Sequence, residues 1–532
     1  MLSLLPAFIL LLSAIVIQVV GRVTKRAGST WWLATIFSSI TWLSLILVGL
    51  LDPQELVIND WLPAPYPFTT LIFEFTEQTW IFGFLLVTML LAVILYNARH
   101  LESPYYLNKI TGSMVITAFG LLAVLSRSNL AFVLTWSLID LAEFGVLAAV
   151  IGNVKNHQSK ITSVLFRAIG IILLVLFISI TPDQGLLPEE SSTFTGWLLV
   201  LIVLFRMGIL PLMNLPYAED SRIHRGLVTI LQLLPVITVF SFITTLSGPV
   251  LPIKTINTLM VIFSIAILYG SISWFFSREE LTGRPYWILT VGCLGVVSYL
   301  IGKVDALTGL AVVAVVVGSG LFLYTPRFRK VYPYIPLLLV GMLTFPFTPT
   351  VTLTRLFAID RISIHQVLWI LSYAILLAGV IKHALAKDQN PDLGEPWIRL
   401  FHSITLYFIA MSPWVILSVS YPGLNSPATW WVTLSILGVS TMMVTLHLLI
   451  SKKIWNPLNR FSRFANIGNT TLHILDELFK FTWLSRLIAS LGYIFEKLAY
   501  LLIRVQEGDG GILWSFLFLV LLFSLLLTRQ VP

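Results

Sequence analysis

The chain has 532 residues, of which 57% are hydrophobic and 11% are charged, and its formal net charge is +8. Soluble domains carry roughly 25% charged residues, so this composition excludes an ordinary soluble protein and indicates an integral membrane protein. The basic residues are scattered over short loops, which argues against nucleic acid as a partner and for a lipid bilayer, where such loops set orientation.

Apolar runs recur along the chain at about 20 residues, the length that crosses a ~30 Å hydrocarbon core. The first run lacks the basic start and the cleavage site of a signal peptide, so we interpret it as the first helix. The pattern predicts an all-α bundle of about 16 transmembrane helices. The runs centre on residues 2–20, 31–51, 77–96, 110–126, 129–151, 161–181, 195–213, 225–247, 255–276, 286–302, 306–324, 334–350, 364–385, 398–420, 430–450 and 511–529.

The loops between these runs alternate between basic and acidic or uncharged ones. Because short loops rich in Lys and Arg stay on the cytoplasmic side, the alternation predicts a cell membrane of the bacterial inner type, with both termini outside. The basic loops contain Arg22, Lys25, Arg26, Arg99, Lys109, Lys155, Lys160, Arg222, Arg225, Arg278, Arg284, Arg327, Arg329, Lys330, Lys382, Lys387, Lys452 and Lys453.

Residues 470–504 have a different texture from the apolar runs. Leu475, Leu478 and Leu491 are among apolar residues at three- and four-residue steps, and charged residues separate them. This pattern predicts an amphipathic helix on the cytoplasmic surface before the final span. At ~1.5 Å per residue such a helix is long enough to reach a neighbouring subunit, or it lies along its own bundle.

Four charged residues lie well inside the predicted spans, away from the ends of the apolar runs. Asp140 and Glu143, three residues apart in the fifth span, share one helix face. Two neighbouring carboxylates do not both ionise cheaply without a cation, and Arg206 in the seventh span and Arg167 in the sixth are the candidates. An arginine inside the membrane costs at least ~2.5 kcal/mol unless it faces protein or water, which makes Arg206 a functional-site candidate.

Two roles are open for these residues. They form an ion pathway, or they are static ion pairs that fix the register of the helices. Arg206 is not expected to carry a proton, because the pKa of arginine lies far above neutral pH and a membrane potential supplies only about 2.3 kcal/mol per charge per 100 mV. It is instead a fixed cation that acts on Asp140 and Glu143.

Helix-breaking residues accompany the charges. Gly208 and Pro211 follow Arg206, Pro235 lies in the eighth span, and Pro346 and Pro349 lie in the twelfth. Non-helical backbone at membrane depth is tolerated only inside protein or against a water-filled cavity, so these residues predict interruptions at functional positions.

Other chemistry is not indicated. Cys293 is the single cysteine, which excludes an intrachain disulfide, and neither a metal-ligand cluster nor a cofactor motif is present. His402 and His447 lie near the predicted helix ends, where we expect a solvated or capping role. Lys303 and Asp305 are predicted to lie in a short outer loop.

The segment FRMGILPL at residues 205–212, followed by LPYA at 215–218, resembles the seventh-helix signature of the antiporter-like subunits of complex I, membrane-bound hydrogenases and Mrp-type Na⁺/H⁺ antiporters. The segment FVLTW at 132–136 supports the resemblance. The helix count, with an amphipathic helix before the last span, resembles the distal, largest antiporter-like subunit of complex I. The resemblance implies two inverted five-helix repeats with broken helices 7 and 12.

This layout predicts six segments. They are the first three helices at 1–96, a first repeat at 97–253, a second inverted repeat at 254–385, helices 14 and 15 at 386–450, the amphipathic lateral segment at 451–510 and the final helix at 511–532.

The chain departs from the family pattern at its charged positions. Ser137 follows Trp136 where the family has glutamate, and Arg206 replaces the seventh-helix lysine. The lysine or histidine expected in the eighth span is missing, with Gln232 the nearest polar residue, and Arg355 is only a rough counterpart of the charged residue in the twelfth span.

The resemblance implies a membrane subunit of a multisubunit complex that translocates H⁺ or Na⁺, with other membrane subunits as partners and no cofactor or catalytic site in this chain. It would belong to an assembly like NADH:quinone oxidoreductase or hydrogenase. One alternative is a degenerate, non-conducting subunit that serves as a scaffold or partner anchor. Another is the membrane subunit of an inorganic-carbon uptake complex.

Overall fold

The structure is a computed structural model that describes residues 2–50, 54–58, 70–101, 105–151, 158–180, 193–210, 225–246, 251–277, 279–323, 334–357, 363–385, 395–416 and 427–453. All of them belong to one compact unit, residues 1–472. The predicted amphipathic helix and the final span lie outside the described residues.

The described part is a bundle of apolar helices, and nine of its helices are long and apolar enough to cross a membrane. This confirms an all-α multi-pass membrane protein, while the count of about 16 and the inverted repeats stay predictions. The first eight helices are α1 Leu5–Thr24, α2 Ala27–Val48, α3 Glu77–Tyr96, α4 Tyr106–Leu125, α5 Asn129–Ile151, α6 Gln158–Ile180, α7 Thr193–Arg206 and α8 Arg225–Thr244. The others are α9 Ile253–Phe276, α10 Glu280–Leu300, α11 Ala306–Val312, α12 Gly320–Leu323, α13 Tyr334–Met342, α14 Thr354–Phe357, α15 Ile364–Leu385, α16 Pro396–Met411 and α17 Pro427–Lys453.

Three spans form the centre of the bundle: α3, α8 and the continuous helical segment 306–323 are completely buried over their apolar windows. Because these helices are apolar on every side, they are stable only when other helices surround them. By contrast, α1 exposes a stripe that includes Phe8, Leu12 and Ile15. Such a stripe suits lipid tails, which are as apolar as leucine.

The central segment 306–323 changes its helical pitch along its length. Between α11 and α12, residues Val313–Ser319 form a buried π-helix. π-Helices are rare and frequently occur at functional sites.

Span 12 is interrupted, as its prolines predict. Helix α13 ends at Met342, and the chain becomes regular again at the 3₁₀ turn Val351–Leu353, which leads into α14. Hydroxyl groups satisfy carbonyls that the break leaves free: Tyr373 donates to Met342 (2.8 Å), and the Thr350 hydroxyl lies 3.0 Å from the carbonyl oxygens of Gly341 and Leu343. These hydrogen bonds lower the energetic cost of the non-helical backbone between residues 343 and 350.

A two-stranded antiparallel sheet lies between α2 and α3 and was not predicted. Its strands are β1 Gln54–Ile58 and β2 Leu71–Phe75, with Leu56 opposite Phe73. An ion pair between Glu74 and Arg127 connects β2 to the start of α5.

Four expectations are corrected. Pro235 lies inside a continuous α8 and does not break it. Its missing N–H costs one backbone bond, which the surrounding helices of a buried span tolerate. Lys109 and Arg284 do not lie in loops but on the buried sides of α4 and α10. His402 is buried in α16 instead of solvated, with its ring centroid 6.2 Å from that of Tyr96.

Candidate ion site in helices α5 to α7

The two carboxylates of the site lie on α5, and both are buried. Asp140 is 7% exposed and Glu143 1% exposed. Their three-residue spacing places both on one side of α5, where Asp140 meets Arg206 of α7 and Glu143 meets Arg167 of α6. The structure therefore brings the predicted residues Asp140, Glu143, Arg167 and Arg206 together.

Arg206 binds Asp140 and the backbone next to it. Its Nη1 donates to both oxygens of Asp140, at 2.7 and 2.6 Å, and its Nη2 donates to the carbonyl of Trp136 at 3.1 Å. The guanidinium carbon lies 5.1 Å from the centroid of the Trp136 ring. Arg206 is completely buried, and its Nε has no acceptor among the described residues.

Arg167 holds the second carboxylate. Its Nη1 and Nη2 donate to the two oxygens of Glu143 at 2.5 and 3.0 Å, a bidentate geometry, and both side chains are nearly inaccessible. Parallel N–H···O bonds of this kind are among the strongest between charged groups. Both carboxylates are thus paired with arginine, as the sequence analysis expects.

Close packing of α6 against α7 places the two arginines. A side chain at Gly170 would put its Cβ 3.3 Å from the backbone nitrogen of Arg206, so glycine allows the helices to approach here. The rings of Phe166 and Phe205 stack beside this contact, with centroids 6.2 Å apart. Phe166 and Phe205, which directly precede the two arginines, are thus held in place by packing.

The backbone turns at the position where the sequence predicts a break after Arg206. Helix α7 ends at Arg206, and Gly208 adopts a φ of +72°, a left-handed conformation that glycine takes without a steric penalty. The backbone nitrogen of Ile209 then donates to the Leu204 carbonyl at 3.0 Å, which closes the helix. The positive side chain of Arg206 stands at the negative end of the α7 dipole, which favours it further. Pro211 lies outside the described residues.

The charges of the site balance, with two carboxylates and two guanidiniums. Each of the four carboxylate oxygens accepts a hydrogen bond from an arginine. Since arginine does not release its proton, Asp140 and Glu143 are the groups of the site that can exchange one. A proton or cation that binds either carboxylate here competes with the arginine bonds to the same oxygens.

A second group of buried charges, at one end of the bundle, was missed. Glu280, on the first turn of α10, accepts from Arg284 Nε at 2.5 Å and from Arg225 Nη1 at 3.0 Å. Arg284 is 1% exposed, and its Nη2 donates to the carbonyl of Phe322 at 3.0 Å. Glu280 and Arg284 are four residues apart, and this helical ion-pair spacing is the sequence signal that could have revealed them.

The remaining predicted residues lie elsewhere. Pro346 and Pro349 belong to the interruption in span 12. Asp305 lies in the predicted turn and forms an ion pair with Arg355. Both side chains are more than 40% exposed. Among the described residues, no group of three or more His, Cys, Asp or Glu side chains could hold a metal ion, and Cys293 is buried.

Comparisons with known proteins show the fold. No protein-family model matches the sequence, and no curated protein is similar to it. A chain of the membrane-bound sulfane sulfur reductase (MBS), an archaeal respiratory membrane complex, aligns over 97% of this chain and 99% of its own length, with 15% identity and a TM-score of 0.62. A chain of the Mrp complex from Dietzia sp. DQ12-45-1b aligns over 94% of this chain, with 12% identity and a TM-score of 0.66.

Respiratory complex I from Thermus thermophilus contains a third similar chain, which aligns over 79% of this chain and all of its own length, with 13% identity and a TM-score of 0.54. The protein spans only 63% of the length of the Mrp chain that it matches. At these identities the likeness establishes a shared fold, which is the fold that the sequence resemblance implied.

Proposed function

We propose that the chain is a membrane subunit of a multisubunit complex that translocates H⁺ or Na⁺, and that Asp140, Glu143, Arg167 and Arg206 belong to its ion pathway. The observation that carries this proposal is the buried four-residue cluster next to the interrupted end of α7. Charges at membrane depth beside a broken helix are typical of ion-handling sites in transport proteins. The shared fold with chains of the Mrp complex, complex I and MBS supports it.

In this proposal, a carboxylate of the cluster exchanges its arginine partner for an ion. In the structure Asp140 is held by Arg206 and Glu143 by Arg167, so each carboxylate has a cationic partner. Withdrawal of either arginine would leave a buried carboxylate uncompensated, and the carboxylate would then take up an ion. Helix α7 suits such a movement, because the regular helix ends at Arg206 and the turn at Gly208 follows.

The second candidate function is a non-conducting scaffold or partner anchor. Its support is the complete occupation of the carboxylate oxygens by arginine, a residue that does not carry protons and that replaces the lysine of the resembling family. In this alternative the two ion pairs only fix α5 against α6 and α7.

One experiment separates the two functions. The complex is purified under mild conditions, its partner subunits are identified by mass spectrometry, and ΔpH and Na⁺ flux are measured in proteoliposomes. We expect Asp140→Asn/Glu143→Gln to lower the flux at least ~10-fold, because a pathway without its exchangeable carboxylates loses its ion-binding groups. Asp305→Asn is the matched control, since it removes the carboxylate of an exposed ion pair.

The outcomes decide between the candidates. Flux that survives the double substitution unchanged, in a complex of normal composition, would identify the chain as a scaffold. The proposed partners are other membrane subunits, and a co-purifying zinc protein would instead support the inorganic-carbon alternative. The six-segment division and the orientation with both termini outside belong to the same proposal.

A further inference from the structure

The residues Arg225, Glu280 and Arg284, here called the α10 cluster, repeat the construction of the site at Arg206. Each buried arginine contacts a carboxylate, a backbone carbonyl and an aromatic ring, and in each case the carbonyl and the ring belong to one residue. For Arg206 that residue is Trp136; for Arg284 it is Phe322, whose ring centroid lies 4.1 Å from the guanidinium carbon.

The α10 cluster differs from the first site in charge and access. It contains two guanidiniums and one carboxylate, so it carries one excess positive charge. Arg284 is fully buried, whereas Arg225, the first residue of α8, is 32% exposed. Glu280 therefore has one fixed partner on its own helix and one partner on another helix that reaches solvent.

The surroundings are polar and lie at helix ends. Helix α3 ends at Tyr96, α8 begins at Arg225, α10 begins at Glu280, and α12 ends one residue after Phe322. A Cβ atom at Gly226, the residue after Arg225, would lie 3.6 Å from Cδ1 of Tyr96, so the Tyr96 ring borders the start of α8. The Oδ1 atom of Asn97 and the Nη1 atom of Arg284 are buried without hydrogen-bond partners among the described residues. The charged groups that contact Glu280 are Arg225 from α8 and Arg284 from α10, and Tyr96 at the end of α3 is the nearby titratable group.

We propose that the α10 cluster is a second proton-exchange site, in which Glu280 binds a proton from water at this end of the bundle when Arg225 withdraws. The proton leaves a hydronium ion for Glu280 Oε2, which turns the carboxylate into a neutral acid, and it returns to water when Arg225 re-forms its bond. No redox change is involved. Arg284 keeps its own proton and its bond to Glu280 Oε1 throughout.

A proton suits this site better than Na⁺. Arg284 occupies the other oxygen of Glu280, and two cations already face the carboxylate, so a metal ion would meet repulsion and too few oxygen ligands. The assignment of transport through this site rests on the proposed function, whereas proton binding by Glu280 does not depend on it.

The test measures protonation directly. In the purified complex, pH-difference infrared spectroscopy records the C=O band of protonated carboxyl groups, and H⁺ flux is measured in proteoliposomes. We expect Glu280→Gln to remove part of this band and to lower H⁺ flux at least ~10-fold. Glu279→Gln is the matched control, because the neighbouring Glu279 is exposed; it should match the wild type in both measurements.

A band that is the same in Glu280→Gln and the wild type overturns the proposal, whether or not flux falls, because a purely structural role would affect only flux. Arg225→Gln retains Glu280 together with its partner Arg284. Since it removes one cation beside the carboxylate, the band of Glu280 should appear at higher pH; an unchanged titration also overturns the proposal.

The two proposals fail separately. If Asp140→Asn/Glu143→Gln leaves the flux unchanged while Glu280→Gln abolishes both band and flux, the first pathway is wrong and the α10 cluster stands. If the double substitution abolishes the flux while Glu280→Gln changes neither measurement, the α10 cluster is wrong and the first pathway stands.

Discussion

Replacing Arg206 with methionine tests whether the buried ion pair holds α7 against α5. The substitution removes two hydrogen bonds to Asp140 and one to the Trp136 carbonyl, together with the contact to the Trp136 ring. It also leaves Asp140 buried without its partner. Breaking a buried ion pair in this way costs about 3–5 kcal/mol, so we expect Arg206→Met to lower the free energy of unfolding by about that amount.

The double substitution Arg206→Met/Asp140→Leu separates the loss of the pair from the loss of one partner. Replacing a buried pair by apolar residues of similar volume is often nearly neutral. We therefore expect the double variant to lie within about 1 kcal/mol of the wild type, which gives a coupling energy of at least ~2 kcal/mol between the two positions. The assay is unfolding in mixed detergent micelles, followed by tryptophan fluorescence.

Arg355→Met is the matched control for this prediction. It breaks the pair with Asp305, but both side chains are more than 40% exposed, and exposed pairs contribute about 0–1 kcal/mol. If Arg206→Met costs no more than Arg355→Met, then the Arg206–Asp140 pair does not stabilise the bundle and the reasoning above is wrong.

Two further substitutions test the interruptions at α7 and α13. Gly208→Ala should lower the free energy of unfolding by about 1–2 kcal/mol, because the position has room for a methyl group but a φ of +72°. Gly341→Ala, with equal room inside α13, should instead raise the free energy of unfolding by about 0.5–1 kcal/mol. Thermal unfolding of both variants checks the sign, and equal effects would refute the role of backbone strain. Thr350→Val should lower the free energy of unfolding by about 1–3 kcal/mol, because it leaves carbonyls at the end of α13 without a hydrogen bond. The same substitution at the exposed Thr258 should cost less than half of that in the same assay. Equal costs would show that Thr350 does not support the interruption.

The positions of the spans were predictable from the sequence because hydropathy reports directly on the thickness of the hydrocarbon core. The pairing of Asp140 and Glu143 with arginines was also predictable, since few charges are available inside the spans and unpaired ones are costly. The break after Arg206 followed from Gly208, whose conformation other residues rarely adopt.

The sequence was less informative about helix ends. The apolar run of span 10 begins near residue 286, but α10 begins at Glu280 and carries Pro285 in its second turn. Hydropathy therefore assigned Arg284 to a loop, although neighbouring helices rather than lipid bury it. Lys109 was misplaced for the same reason at the start of α4. Burial by protein depends on which helices meet, and a local pattern contains no such information.

The π-helix at Val313–Ser319 changes the number of residues per turn in the middle of segment 306–323. A residue adds about 100° of rotation in an α-helix and less in a π-helix, so a change between the two forms turns the residues beyond it about the helix axis. Phe322 lies three residues past that point and provides both the carbonyl and the ring that hold Arg284. The pitch of this buried segment, which is apolar from Val313 to Phe322 except for Ser319, therefore sets the orientation in which Phe322 meets Arg284.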